Sequence, residues 1–336
     1  MSLSKLLVSS TRTTLNWSGV PLLMSPAGNL DARRPYGGLV RLRGAGDAYT
    51  ATRERADAQS YGVRSGVPAR RPTLLDPPPH LLDDAVTLQL LAPQAIQHLR
   101  EHRGQYQTEA SRALRAHVVF RSRFAEDRLH DALKRDVRQL VVLGAGLDTF
   151  AYRQPHWADD LRIFEVDHPG TQTLKRQRLQ AAQIGLPDNL RFVPTDLEDE
   201  AWSGSLHLVG FRADLPTFVS CLGVTMYLTR PSVEGLLRWA AQLEVGSDVA
   251  VSYMRRGRLG LESQALAQRL VEVGEALKTA FDPSELCELL RTVGFDQVGG
   301  PPHAEVVQQY GPPHALALPL PRHPDVAYAT RVNAFF

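Results

Sequence analysis

A glycine turn closes a short apolar run in residues 141–149 (VVLGAGLDT), and this is the segment best suited to binding a ligand. At the carboxyl end of a strand, Gly144 and Gly146 would let the backbone approach a bound molecule closely. Dinucleotide-binding turns have a third glycine where this chain has Thr149, and Asp148 would repel a phosphate. The ammonium of an amino-acid group needs an acceptor and is compatible with that carboxylate. The turn therefore favours a ligand with a zwitterionic amino-acid moiety.

Two further acids follow the next two predicted strands. Asp167 lies 21 residues beyond Gly146, the separation at which an acid accepts hydrogen bonds from a ribose diol. Asp196 and Leu197 place a polar residue beside an apolar one, which suits the amine and the ring face of adenine. Because parallel strands end at one edge of a sheet, these acids should converge there. Both NAD and S-adenosylmethionine carry such a ribose, and each acid taken alone could instead cap a helix or be solvated.

Apolar runs and amphipathic segments alternate along the chain after residue 139. Strands are predicted at 140–143, 161–166, 190–194, 216–222 and 248–253, and a further one at 315–318 among the last strands. Helices are predicted at 108–135, 169–183, 229–243, 261–276 and 282–294. The last of these begins with a capping pair, Asp282 and Glu285, and ends at Gly294. Strands joined by helices predict an α/β fold with a doubly wound, Rossmann-like parallel sheet.

The N-terminal part has a different composition. Residues 1–68 are rich in Gly, Pro, Ser and Arg without an apolar period, which predicts a disordered basic tail. Residues 69–336 are expected to form the folded domain, with a helical cap at 74–135. Residues 1–72 carry a net charge of +7, which leaves −5 for the rest, so a nucleic-acid partner is not expected. A transit peptide is an alternative for the first 30 residues, which contain no acid.

Composition excludes several other classes of protein. No apolar stretch approaches the roughly 18 to 20 residues that span a bilayer, so no membrane partner is expected. Cys221 and Cys287 can form neither a disulfide framework nor a structural zinc site, and they suit a reducing, cytoplasmic location. His98 and His102 are four residues apart, but no third ligand is apparent and no metal is expected.

Four motifs together resemble a known family. They are residues 144–153 (GAGLDTFAYR), residues 164–169 (FEVDHP) with Lys175, residues 195–197 (TDL) and residues 222–229 (LGVTMYLT). In this order they are similar to the class I S-adenosylmethionine-dependent methyltransferases of the leucine carboxyl methyltransferase-like group, particularly its bacterial O-methyltransferases. The resemblance begins near Leu74 and continues to the C-terminus. It implies a seven-stranded sheet with the last strand antiparallel, and S-adenosylmethionine as the methyl donor.

The resemblance also implies which residues hold the donor. An arginine in the helix before the glycine strand pairs with the donor's carboxylate in this family, and it matches Arg121, with Arg123 as a near alternative. The other implied contacts are Gly144 and Gly146 at the methionine part, Asp167 at the ribose, and Asp196 with Leu197 at the adenine.

Two positions depart from the family pattern. Many members have an arginine where this chain has Phe150, and a glutamate where it has Leu222. In the eukaryotic carboxyl methyltransferases that glutamate contacts the donor. Because it is missing here, a protein substrate is not expected, and the expected partner is a small-molecule methyl acceptor.

The implied chemistry is an in-line displacement by an oxygen nucleophile, which needs positioning and, for a hydroxyl, a proton acceptor. Tyr227 and His168 are the candidate catalytic residues, with Tyr152 as a third possibility. The alternatives are a packed aromatic ring for the tyrosines and a helix cap for His168.

We therefore expect an S-adenosylmethionine-dependent methyltransferase that methylates an oxygen of a small acid or hydroxylated metabolite. The alternatives are an NAD-dependent oxidoreductase, which would share the glycine turn and the ribose acid, and a non-catalytic binding protein on a methyltransferase fold.

Overall fold

A computed structural model describes residues 75–257, 277–311 and 316–332 of the chain. The predicted tail at 1–68 and the predicted helix at 261–276 lie outside the described residues. In the described ranges, no helix combines the length and the apolar content needed to cross a membrane.

The described residues contain one seven-stranded sheet. Its strands are β1 Gln139–Leu143, β2 Arg162–Asp167, β3 Leu190–Pro194, β4 Thr217–Cys221, β5 Asp248–Ser252, β6 Gln297–Gly299 and β7 Val326–Thr330. Their order is β3-β2-β1-β4-β5-β7-β6, with β1 to β5 parallel and β7 antiparallel to both of its neighbours. The predicted fold class, an α/β sheet of seven strands with the last one antiparallel, is confirmed.

Eight α-helices surround the sheet in the described ranges. They are α1 Ala85–Leu90, α2 Pro93–Glu101, α3 Glu109–Leu133, α4 Pro169–Ala181, α5 Gly204–His207, α6 Arg230–Ala241, α7 Pro283–Val293 and α8 His303–Tyr310. Local sequence explains several boundaries: Thr108 caps α3 by accepting a hydrogen bond from the Ser111 backbone, and α7 begins with the predicted capping box. Gly294 then ends α7 with a φ of +119°.

The core lies on both faces of the sheet. Val141 and Leu143 of β1 face one apolar cluster, which includes residues of α6 and α7. Leu140 and Val142 face a second cluster, which includes residues of α3. The central strand is thus buried on both sides, which explains why it is apolar throughout its last four residues.

The helices before the sheet pack on the glycine turn. Leu91 and Leu99, which are buried in the segment around α1 and α2, form a small apolar cluster with Leu75 and with Leu147 of the turn. We refer to α1, α2 and the one-turn helix Arg103–Tyr106 as the cap. The cap therefore contacts the segment that carries the candidate ligand-binding residues.

The strand predicted at 315–318 is wrong. Residues 316–318 form bends, and the last two strands of the sheet are β6 and β7, which the sequence did not predict. The alternating Leu316 and Leu318 resemble a strand, but Pro319 follows at once and proline cannot donate to a ladder. The backbone of Ala317 instead bonds to Pro79 and to the Arg112 side chain.

Candidate active site

The glycine turn lies where the carboxyl ends of β1, β2 and β4 meet. Gly144 has a φ of +64° and Gly146 a φ of +45°, a region that disfavours residues with a side chain. The Gly144 amide donates to the Val166 carbonyl at 2.8 Å, and the Gly146 amide donates to the Asp167 carboxylate. A Cβ at Gly144 would lie 2.3 Å from a methyl group of Val224. The turn is thus packed tightly against the end of β2 and the segment that follows β4.

Alanine substitutions in this turn should distinguish backbone strain at a positive φ from steric overlap with Val224. Gly144→Ala should lower the free energy of unfolding by about 2 to 5 kcal/mol, since it combines a positive φ with overpacking against Val224. Gly146→Ala is the matched control: its nearest contact is 3.8 Å away, and the φ alone should cost about 1 to 2 kcal/mol. Urea denaturation measures both values. Equal losses of unfolding free energy in the two variants would contradict the steric overlap between residue 144 and Val224.

Asp167 is the acid at the end of β2, and its carboxylate organises the turn. One oxygen accepts from Gly146 and the other from the His168 amide at 2.6 Å. Burial raises the pKa of Asp167, and these two backbone N–H groups oppose the rise. Each oxygen retains acceptor capacity beyond its single N–H, so the carboxylate can also accept from a ligand hydroxyl.

The third candidate segment lies beside Asp167. The Thr195 amide donates to the Asp167 carbonyl at 2.9 Å, which holds residues 195–197 next to the end of β2. Asp196 is exposed and accepts from the Glu198 amide at 3.0 Å, whereas Leu197 is buried in the core. The structure thus brings the turn, Asp167 and this segment together at one edge of the sheet, as expected.

Arg121 reaches the same edge from α3. Its guanidinium lies against Gly223, which follows β4, since a Cβ built on Gly223 would be 2.5 Å from Nη2. The Arg121 Nε is buried and has no hydrogen-bond partner among the described residues. Burial lowers the pKa of Arg121 to about 10, with Tyr227 and Cys221 opposing the change. The group is therefore still a cation at neutral pH, and its buried Nε remains available for an anion.

The near alternative, Arg123, lies elsewhere on the helix. It pairs with Asp127 one turn further along α3, at 3.0 Å, and 43% of its side chain is exposed. Arg121 and not Arg123 is thus the arginine that the structure brings to the sheet edge.

Asp148 turns back toward the protein interior. It accepts a hydrogen bond from the Phe150 amide at 2.8 Å, and burial raises its pKa against the opposing effect of Lys175. Its side chain lines a small cavity between α3 and the sheet, whose walls also include Glu126 and Leu222. Leu222 directly precedes Gly223, the residue against which the Arg121 guanidinium lies.

The two candidate catalytic residues occupy different environments. Tyr227 ends the one-turn helix Thr225–Tyr227 after Gly223 and lies within electrostatic range of Arg121. His168 caps α4, with its Nδ1 accepting from the Gly170 amide at 3.2 Å. Tyr152, the third possibility, donates from its hydroxyl to Glu165 at 3.3 Å. Tyr227 is thus the candidate that shares the sheet edge with Arg121.

The sequence reading gave no role to an ion pair beneath the turn. Lys175 of α4 lies 2.7 Å from Glu165 of β2, and both side chains are 1% exposed. Burial raises the pKa of Glu165 to about 7 although Lys175 opposes the rise. The Lys175 ammonium also lies over the Tyr152 ring, 5.3 Å from its centre. The signal in the sequence was a glutamate within an otherwise apolar strand.

A second cluster that the sequence reading missed fixes the segment after β3. The Glu198 carboxylate accepts from Lys278 at 2.7 Å, from the Ser232 hydroxyl at 2.6 Å and from the Thr229 hydroxyl at 2.8 Å. Burial would raise its pKa, but these hydrogen bonds outweigh burial and lower the pKa of Glu198 to about 2. This carboxylate ties the segment near Asp196 to the start of α6.

The lowered pKa predicts a pH-dependent contribution to stability. The ionised Glu198 stabilises the fold above its ordinary pKa of 4.5, and this stabilisation is lost as the pH falls toward about 2. Glu198→Gln should therefore lower the free energy of unfolding by about 1 kcal/mol at pH 7, a value discounted for its partial exposure. The deficit should shrink below pH 4.5 in thermal denaturation. Glu200→Gln, at an exposed neighbouring position, is the control, and a deficit that does not change with pH would contradict the prediction.

No group of three or more His, Cys, Asp or Glu side chains in the described part of the chain is arranged to hold a metal ion. His98 and His102 stack on each other, with ring centres 4.2 Å apart.

The sheet order, the glycine turn after β1, the acid at the end of β2 and the arginine of α3 with its buried Nε together define a class I methyltransferase architecture. A family model described as "Leucine carboxyl methyltransferase" matches residues 69–241, about half of the chain. The chain belongs to the leucine carboxyl methyltransferase family, and the family resemblance of its motifs is confirmed.

Curated relatives agree with this assignment. The "Putative S-adenosyl-L-methionine-dependent methyltransferase YktD" of Bacillus subtilis (strain 168) is 33% identical over 52% of this chain and 59% of its own length. A Mycobacterium avium (strain 104) protein, also named as a "Putative S-adenosyl-L-methionine-dependent methyltransferase", is 31% identical over 70% of this chain and 74% of its own length. The chain thus spans less than two thirds of the Bacillus relative. Both names include the cofactor that the motifs imply.

A solved structure of a "putative methyltransferase" from Thermobifida fusca YX is also similar. It shares 18% identity and a TM-score of 0.48, over 71% of this chain and 89% of that chain.

Proposed function

We propose that this chain is an S-adenosylmethionine-dependent methyltransferase that transfers a methyl group to an oxygen of a small acid or hydroxylated metabolite. The observation that carries the proposal is Arg121, whose buried Nε has no partner among the described residues at the edge where the glycine turn and Asp167 meet. A buried cation is costly unless an anion accompanies it, and the carboxylate of the donor's methionine part supplies one.

The residues at this edge would together bind each part of the donor. The orphan Nε of Arg121 would pair with the carboxylate, and the positive-φ glycines 144 and 146 let the backbone approach the methionine part. Asp167 would accept from the ribose, with Asp196 and Leu197 at the adenine. When bound, S-adenosylmethionine supplies a methyl group activated by a sulfonium. Membership of the family and the absence of a third glycine, where Thr149 stands, favour this donor over NAD.

The remaining work of the chain is to position the acceptor and to manage its proton. The acceptor oxygen forms a bond to the methyl carbon as the carbon–sulfur bond breaks, and a hydroxyl acceptor also loses its proton. Tyr227 is placed to orient the acceptor, since it lies near Arg121 after the end of β4. His168 is a weaker candidate for the proton because its Nδ1 caps α4. A carboxylate acceptor would need no base.

The residue at position 222 favours the proposal of a small-molecule acceptor over a protein substrate. It is an apolar residue packed between two core clusters, at the position where the eukaryotic enzymes have a glutamate. Because it precedes Gly223, against which the Arg121 guanidinium lies, Leu222 would form an apolar wall next to the donor's methionine part.

Ligand-induced stabilisation tests the donor. Full-length protein should melt a few degrees higher with S-adenosylmethionine or S-adenosylhomocysteine at about 100 times the dissociation constant, a stabilisation of about 2.7 kcal/mol. NAD should have no effect. A rise with NAD alone would favour the oxidoreductase alternative, and no rise with any of the three would favour a non-catalytic protein.

A substitution at Asp167 tests the ribose contact. Asp167→Ala should weaken donor binding by about 1.5 to 3 kcal/mol, because it removes a charged hydrogen-bond acceptor. Isothermal titration calorimetry with S-adenosylhomocysteine measures the change. Asp167→Asn, which retains one carbonyl oxygen for the Gly146 amide, should lose less, and unchanged affinity in the alanine variant would count against the site.

The acceptor atom can be identified from the product. Donor labelled in its methyl group is incubated with panels of carboxylic acids, phenols, alcohols and amines. Methyl esters release volatile methanol in base, whereas methyl ethers and methylamines do not. Labelled ester or ether supports the proposal, and transfer confined to amines or to a protein would overturn the oxygen and small-molecule parts of it.

A further inference from the structure

The cap and the glycine turn are joined by a polar bridge in addition to their apolar contact. The Thr149 hydroxyl, which directly follows Asp148, donates to Asp84 at 2.5 Å. Asp84 precedes α1 and also accepts from the Thr87 amide at 3.0 Å and from the Thr87 hydroxyl at 2.5 Å. A single carboxylate thus caps the first cap helix and holds the turn. The two hydroxyls share the same carboxylate oxygen.

The bridge continues from the turn to α3. Arg153 donates from Nε to the Thr149 hydroxyl oxygen at 3.0 Å and pairs with both oxygens of Glu126 on α3. It also lies 3.7 Å from Asp84. The side chains of Arg153, Asp84 and Glu126 are 13%, 11% and 16% exposed, and Thr149 is fully buried. These contacts are therefore largely shielded from water.

This arrangement places Thr149 at the centre of a three-way junction. Its hydroxyl donates to the cap and accepts from the arginine that is fixed to α3. The same helix carries Arg121, whose guanidinium lies at the sheet edge against Gly223. The cap cannot leave the turn without breaking the Thr149–Asp84 hydrogen bond, and charge-assisted hydrogen bonds in such shielded surroundings are among the strong ones.

We propose that Asp84, Thr149 and Arg153 form a latch that fixes the cap on the glycine turn and sets how long the methyl donor stays bound. Thr149 and Asp84 are positioning residues, since they act on the donor through the turn and the cap. The donor's role here rests on the proposed function, whereas the latch itself is a property of the free chain.

Two isosteric variants isolate the latch. Thr149→Val removes the hydroxyl that joins turn to cap, and Thr87→Val removes a hydroxyl that donates to the same oxygen from within the cap. Thr149→Val should raise the dissociation rate of S-adenosylhomocysteine about tenfold in stopped-flow displacement, the effect of one charged hydrogen bond. Thr87→Val should leave that rate unchanged, and Thr149→Ser, which retains the hydroxyl, should restore it.

The outcomes separate the latch from the proposed function. Equal dissociation rates for Thr149→Val and Thr87→Val, with equally lowered melting temperatures, would mean a structural role only and would overturn the latch. If the wild-type chain binds no donor, the proposed function fails, and hydrogen exchange of the free proteins decides on the latch. Amides of α2 should then exchange faster in Thr149→Val than in wild type, and unchanged exchange would overturn the latch on its own.

Discussion

Arg121→Met is expected to weaken donor binding by about 3 kcal/mol, on the order of 100-fold, which is the effect of removing one partner from a buried ion pair. The guanidinium lies at the end of β4 with its Nε buried and unpartnered among the described residues. The three heavy atoms nearest to a Cβ built on Gly223 all belong to the Arg121 guanidinium, at 2.5 to 3.1 Å. Calorimetric titration with S-adenosylhomocysteine measures the change.

Arg121→Met should not lower the free energy of unfolding, although it weakens donor binding. The Arg121 Nε is buried without a hydrogen-bond partner among the described residues, and burial lowers the pKa of Arg121 to about 10, so exchanging it for an apolar side chain removes a desolvation cost. Urea denaturation without ligand should show Arg121→Met to be at least as stable as wild type.

The matched control is Arg123→Met, two residues further on the same helix, where the arginine is 43% exposed and paired with Asp127. It should bind the donor as wild type does. If Arg121→Met binds equally well, or if Arg123→Met is the variant that loses binding, the assignment of the donor's carboxylate to Arg121 is wrong.

Lys175→Met is expected to lower the free energy of unfolding by about 3 to 5 kcal/mol, because it leaves Glu165 buried without its cation. Both side chains are 1% exposed and 2.7 Å apart, so water cannot replace the missing ammonium. A double variant, Glu165→Met with Lys175→Met, removes both charges and should recover most of the loss. Urea denaturation of the wild type, Lys175→Met, Glu165→Met and the double variant completes the double-mutant cycle.

The loss in Lys175→Met should depend on pH in a defined direction. Burial already raises the pKa of Glu165 to about 7 in the wild-type fold, and removing Lys175 should raise it further. A raised carboxyl pKa means that the folded state binds the proton more tightly than the unfolded chain does, so folding is favoured as the pH falls from 7 toward 4.5. The deficit should therefore be largest above pH 7 and smaller near pH 5. A deficit that is constant with pH would contradict an ionised Glu165.

The parallel strands of the sheet could be predicted from the sequence. A central strand buried on both faces must be apolar throughout, and residues 140–143 show this directly. The last two strands were harder to predict because β6 has three residues and is largely exposed, and β7 follows a proline-rich segment. The apolar alternation at 315–318 had the period of a strand, but Pro319 follows it at once, and the Ala317 amide donates to the Pro79 carbonyl and not to a neighbouring strand.

The site was predictable where function depends on the position of a residue along a strand. Asp167 ends β2 and residues 195–197 follow β3, and parallel strands bring such positions together. The ion pair between Lys175 and Glu165 was not predictable, because the two side chains meet only through the packing of α4 on β2. The roles of Asp84 and Thr149 in joining cap to turn depend likewise on tertiary contacts 65 residues apart.

The position of β7 between β5 and β6 constrains the order in which the sheet can assemble during translation. Synthesis proceeds from the N-terminus at about 5 to 20 residues per second, and domains begin to fold as they emerge. The five parallel strands can pair among themselves as they appear, but among the described strands β6 pairs with β7 alone, and β7 is made after it. Until then, β5 presents an open edge, and β6 joins the sheet only when β7 has paired with β5. A ribosome stalled before residue 326 would therefore hold a nascent chain with an unprotected edge, which is a binding site for chaperones or for a second unfinished copy.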